Sequence, residues 1–119
     1  MQDNALLIKT KAFALAAIKV VKAVQKHERE YILTKQYLRA ATNPGAMARE
    51  AQQAESKADF IHKLAIAKKE ADEADYWFEL LEESDYFVGI DVSSARKLNM
   101  EVMRLLTSIL RTSRGKGKK

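Results

Sequence analysis

From Gln36 to Phe87 the chain reads QYLRAATNPGAMAREAQQAESKADFIHKLAIAKKEADEADYWFELLEESDYF, which is helix-compatible almost throughout and carries no catalytic or metal-ligand pattern. With one Pro and four Gly in the whole sequence, few positions can break a helix, so the elements must be few and long. At 119 residues there is room for one core. Several amphipathic helices sharing one core make a bundle. The reading is therefore an all-α, antiparallel up-down-up-down four-helix bundle.

The first helix is expected from about Asn4 to about Lys26, with Ile8, Ala12, Leu15, Ile18 or Lys19, and Ala23 at three-four spacing. Phe13, Ala16, Ala17, Val20, Val21 and Val24 extend its apolar surface around the helix. One stripe is enough for one core, so the excess points to a second buried contact in an oligomer, or else to a centrally buried helix. His27 to Glu30 form a polar connection, after which Ile32, Leu33, Gln36, Tyr37 and Ala40 resume helical spacing.

Asn43-Pro44 reads as an N-cap followed by Pro at the first helical position, so the second helix is expected to be kinked or split near Pro44. Ser56-Lys57-Ala58-Asp59 fits a capping box opening a third helix through Ile61, Leu64, Lys68, Ala71, Asp75, Phe78 and Leu81. Asp85 to Asp91 reads as an ordered loop folding back on the bundle end. A fourth helix starts near Ser93 or Ser94 with a stripe of Ala95, Leu98, Val102, Leu105, Leu106, Ile109 and Leu110. Residues 1–111 form the bundle, and 112–119 are expected to be a disordered basic tail.

The chain contains no cysteine, which excludes disulfides and thiolate metal sites. No signal-peptide pattern opens the sequence and no apolar run reaches the roughly 18 residues of a membrane helix, so a cytoplasmic protein with no membrane partner is expected. Asp59-x-x-His62 lacks the mate that a bundle di-metal site requires. No Ser-His-acid set, Gly-rich phosphate loop or Cys nucleophile can be assembled. The expectation is no enzyme, no catalytic residue, no cofactor and no metal.

Charge is the more informative property. Residues 111–119 hold five positive charges and no negative one, while the remaining 110 carry 16 of each. That neutral body is polarised: residues 1–39 have eight positive and three negative charges, residues 69–85 one positive and eight negative. Any steering field therefore comes from patches and tail. Lys19, Lys22 and Lys26 make a ridge on the first helix, and Lys35 with Arg39 another on the second. With Arg111, Arg114, Lys116, Lys118 and Lys119 they are the candidate phosphate contacts, in RNA or DNA.

Helical spacing disperses the acidic residues from Glu70 to Glu83 around their helix, which suits a solvated face with cross-helix pairing. If Glu73 or Asp75 faces inward, Arg39 is the natural counter-ion. Tyr76, Trp77 and Phe78 point in three directions, so at least one must serve a second interface or cover the loop at Tyr86-Phe87.

The run Arg39-Ala40-Ala41-Thr42, the segment Gly45 to Glu50, Ser56-Lys57-Ala58-Asp59-Phe60, Ile66-Ala67-Lys68-Lys69-Glu70-Ala71 and Glu73-Ala74-Asp75-Tyr76-Trp77 together resemble the bacterial four-helix-bundle family named for the 23S rRNA intervening sequence. The family pattern reads Thr-Ser-Ile-Gly-Ala-Asn where this chain has Thr42-Asn43-Pro44-Gly45-Ala46-Met47. The departure bears on local helix geometry. Members are similar to the accessory subunit of diversity-generating retroelements, and the resemblance implies ring-shaped homopentamers that bind nucleic acid or ribonucleoprotein. The alternative is a protein-interaction scaffold for a partner such as a reverse transcriptase.

Overall fold

The computed structural model describes residues 2–115, with side chains from Ala5 onward. Four helices follow in chain order, α1 Gln2–Glu28, α2 Leu33–Ala51, α3 Lys57–Glu83 and α4 Ser93–Ser113, with no strand among the described residues. No helix there is long and apolar enough to cross a membrane.

Each turn has a local chemical cause. Arg29 adopts a left-handed φ of 56° and its N–H donates to Gln25 O at 3.1 Å, which ends α1. The Glu30 carboxylate then accepts from the N–H groups of Ile32, Leu33 and Thr34 at 2.8 to 3.0 Å, satisfying donors at the start of α2. Burial alone would push the Glu30 carboxyl up, but these N–H groups outweigh it and hold it below its ordinary 4.5. Ser56 Oγ accepts from Asp59 N–H at 3.0 Å as the capping pattern predicts, while the Asp59 carboxylate reaches back to Glu55 N–H. Asp91 Oδ1 accepts from both Ser93 N–H and Ser93 Oγ–H where α4 begins.

The helices pack α1 on α2, α2 on α3, α3 on α4 and α4 back on α1, while the diagonal pairs stay apart among the described residues. Thr10 lies against Gly45, Arg39 reaches Glu73, Asn99 reaches Ala71 and Lys9 reaches Glu101, so every neighbouring pair is antiparallel. The result is the expected four-helix bundle, 50 × 24 × 20 Å.

The core of α1 corrects the sequence reading. Leu6, Thr10, Phe13, Ala17, Val20, Val21 and Val24 face inward, whereas Ile8 and Leu15 of the first stripe are 67% and 55% exposed. Both stripes have helical spacing; the larger Phe13 and the valine pair fill the core better than Ala12 and Ala23 could.

α2 is not split at Pro44. The helix runs through it, because Tyr37, Ala40, Ala41, Pro44, Ala48 and Ala51 form one buried stripe that only an unbroken helix can present. The missing Pro44 N–H forfeits one hydrogen bond, and burial of this row offsets that loss. α4 likewise extends past Arg111 through Ser113, two residues into the segment read as tail.

A column of rings joins the elements: Tyr37 on Phe78 at 5.9 Å, Phe78 on Phe87 at 4.8 Å, and the Arg96 guanidinium over Phe78 at 4.8 Å. Asn99 is buried in the α4 stripe and its Nδ2 donates to Ala71 O at 3.1 Å. Asn99 Oδ1 and Tyr37 Oη make no hydrogen bond within the described residues. Burial, with the Asp75 charge adding to it, pushes the Tyr37 phenol above its ordinary range.

A Cβ on Gly45 would meet Thr10 at 3.5 Å, ordinary contact, so Gly45→Ala is expected to raise stability by about 0.5–1 kcal/mol, measured by urea unfolding. Glu30→Ala should lose about 1 kcal/mol near neutral pH. Because the folded-state pKa of Glu30 is lowered, its contribution is present above 4.5 and fades as pH falls below it, so wild type and variant should converge in acid.

Candidate nucleic-acid interface

Lys19, Lys22 and Lys26 lie exposed on the outer face of α1, and Lys35 is exposed on the first turn of α2. Among the described residues none of the four has a carboxylate within salt-bridge distance, whereas Lys9, Lys63 and Lys68 are all paired. α1 ends and α2 begins at one turn, so Lys26 and Lys35 share one end of the bundle.

Arg39 is placed differently. Its two terminal nitrogens each donate at 3.1 Å, one to Glu70 and one to Glu73 of α3, and the second of these holds the Glu73 carboxyl below its ordinary 4.5. This is the ion pair expected of Glu73, and it engages Arg39 with α3. Of the rest of the acidic run, Asp72 pairs with Lys68 within α3 and Glu82 with Arg96 of α4. Of the adjacent aromatics, Phe78 is buried against Phe87, Trp77 is half-buried and Tyr76 is 54% exposed.

Arg111 is exposed on the last turns of α4 and Arg114 in the turn that follows; Lys116, Lys118 and Lys119 lie outside the described residues. The antiparallel topology sets these cations far from the α1 ridge. At about 1.5 Å per residue, roughly 20 Å of α1 separates Lys22 from Lys9, and roughly 15 Å of α4 separates Glu101, its partner, from Arg111. The two groups of candidates thus occupy opposite ends of the α1–α4 side.

Between them the structure adds two exposed cations that the sequence reading missed. Lys97 and Arg104 precede Arg111 at intervals of seven residues, on the face opposite the buried Ala95, Val102, Leu106 and Leu110. That spacing was the available signal. Lys19 and Lys22 border a groove of about 810 Å³ between α1 and α4, floored by Leu15, Ile18, Ala23, Ile90 and Leu98. Among the described residues no group of three or more His, Asp or Glu side chains is placed to hold a metal ion; His62 is exposed.

A family model described as 23S rRNA-intervening sequence protein matches residues 2–108. The chain belongs to that family. The crystal structure, at 1.70 Å, of a protein of unknown function from the S23 ribosomal protein family of Bacteroides thetaiotaomicron VPI-5482 is similar, with a TM-score of 0.87 and 40% identity, covering 93% of this chain and 99% of that one. No curated protein matches. Neither description names an enzymatic activity.

In this chain the Arg39 pairs are half-exposed, which limits their value through solvent screening. Arg39→Gln should therefore lower unfolding free energy by less than about 1 kcal/mol at low salt, and by less again at high salt. Since Glu73 has a lowered folded-state pKa, the difference from wild type should shrink as pH falls below 4.5, followed by circular dichroism melts.

Proposed function

We propose that this protein is a non-enzymatic, cytoplasmic oligomer that binds structured RNA or DNA through the lysine ridge of α1, Lys35 and the basic C-terminal residues. The observation that carries this reading is the set of exposed cations along the α1–α4 side with no carboxylate within salt-bridge distance among the described residues, Lys19 and Lys22 at one end, Lys97 and Arg104 flanking the Lys9–Glu101 pair between, Arg111 at the other. Their span of roughly 35 Å matches about one turn of duplex. A helical nucleic acid laid along this side meets cations at both ends, with Arg39 contributing less because it is paired to α3.

Assembly is supported by what the outer faces present. Ile8 and Leu15 are exposed on α1 beside the basic ridge, while the diagonally opposite α3 exposes Tyr76 with Asp72, Glu79 and Glu83. The apolar side chains on these opposite sides suit a head-to-tail contact that leaves the lysines to phosphate, and such contacts close into rings. Five is the number that the family resemblance implies. The same exposed face of α1 supports a second reading, a scaffold that docks a protein partner such as a reverse transcriptase.

The test is the salt dependence of binding to a structured RNA and to duplex DNA, on protein whose mass is fixed by light scattering. A steep negative slope of log K against log salt is expected. Each of Lys19→Gln, Lys22→Gln and Lys26→Gln should flatten it by about 0.9 per duplex phosphate no longer neutralised, and removal of residues 111–119 should flatten it again. Absence of binding at low salt would overturn the nucleic-acid reading and leave the scaffold.

A further inference from the structure

The turn between α1 and α2 carries a feature that the phosphate-binding reading does not use. Tyr31 and Ile32 project from it 56% and 76% exposed, the only such apolar pair in adjacent positions among the exposed large apolar side chains of the described residues. An exposed aromatic beside an exposed Ile, at the tip of a hairpin, does nothing for the core of its own chain.

The surroundings are basic. Lys26, Arg29 and Lys35 are exposed around the turn, and among the described residues none has a carboxylate within salt-bridge distance. Two carboxylates share the segment. That of Glu30 is engaged by three N–H groups of α2, which leaves Glu28 as the exposed one. The ring is also tethered, because Tyr31 Oη donates to Gln25 O at 3.4 Å, the carbonyl that also receives Arg29 N–H. Gln25 Nε2 donates in turn to Thr34 Oγ1 at 3.2 Å, so one residue joins both sides of the turn.

An exposed aromatic in a turn that carries three exposed cations matches what an unpaired nucleotide offers: a flat base to stack and a phosphate on either side. A duplex, whose bases are already stacked, cannot use the ring. We propose that the α1–α2 turn is a single-strand site, in which Tyr31 stacks one unpaired base, Ile32 packs on its edge, and Lys26, Arg29 and Lys35 hold the adjoining phosphates. This rests on the nucleic-acid reading above and adds to it a preference for unpaired positions, such as a loop or a strand end.

The experiment measures binding of the full chain to a short oligouridylate, an oligothymidylate and a blunt RNA duplex of equal length, for wild type, Tyr31→Ala, Tyr31→Phe and Lys35→Gln. Tyr31→Ala is expected to weaken both single strands about ten-fold while leaving the duplex unchanged, because the base loses the aromatic face on which it stacks. Tyr31→Phe keeps the π-face and should retain most of the affinity, and Lys35→Gln should weaken all three probes. If Tyr31→Ala leaves single-strand binding unchanged while the duplex still binds, the stacking site is wrong and the nucleic-acid reading stands. If wild type binds none of the probes at low salt, both fall.

Discussion

Tyr37, Phe78 and Phe87 form the contact on which the rest of the molecule depends. The first belongs to α2, the second to α3 and the third to the loop before α4, and Arg96 of α4 covers the middle ring while pairing with Glu82. Rings of this size account for much of the apolar area in a core otherwise rich in alanine, and their tilted contacts fix three elements relative to one another. The loop from Asp85 to Asp91 is ordered because Phe87 is buried in this column. With the loop fixed, Ile90 floors the groove beside Lys19 and Lys22. The loop residue that helps to line this groove is thus placed by aromatic packing at the same end of the bundle.

Folding also sorts charge that is mixed along the sequence. The acidic residues of α3 turn toward cations of its neighbours, Arg39 on α2 and Arg96 on α4, or toward Lys68 one turn away. On α1 Lys9 pairs with Glu101 of α4, whereas Lys19, Lys22 and Lys26 have no carboxylate within salt-bridge distance among the described residues, and the acidic α3 lies diagonally across from them. A nearly neutral body therefore has one side with uncompensated positive charge. Topology, more than composition, decides which cations stay unpaired.

Much of this was legible in the sequence. The α4 stripe, the Ser56 cap, the helix start at Ser93 and the Arg39–Glu73 pair follow from spacing and hydrogen-bonding chemistry that act locally. The failures share one cause. The apolar surface of α1 goes most of the way around, so periodicity allows two acceptable faces and only the volumes of facing side chains choose between them. Asn43-Pro44 has the local form of a helix start, but the buried row from Tyr37 to Ala51 needs a continuous helix, and tertiary packing overrides the local preference. Lys97 and Arg104 escape a sequence reading because their significance depends on which helix lies beside α4.

Asn99 occupies a position in the α4 stripe that an aliphatic residue would fill without difficulty. Its amide donates to Ala71 O, so sliding α4 one turn along α3 would leave that donor unpaired in an apolar interior, at a cost of about 1–3 kcal/mol. The two helices are thereby locked in translation. Ser113, where α4 ends, lies about 20 Å farther along the same helix, so the placement of Arg111 on its last turns inherits that lock. One core amide thus sets how far along the bundle the cations Lys97, Arg104 and Arg111 of α4 stand from the lysines of α1.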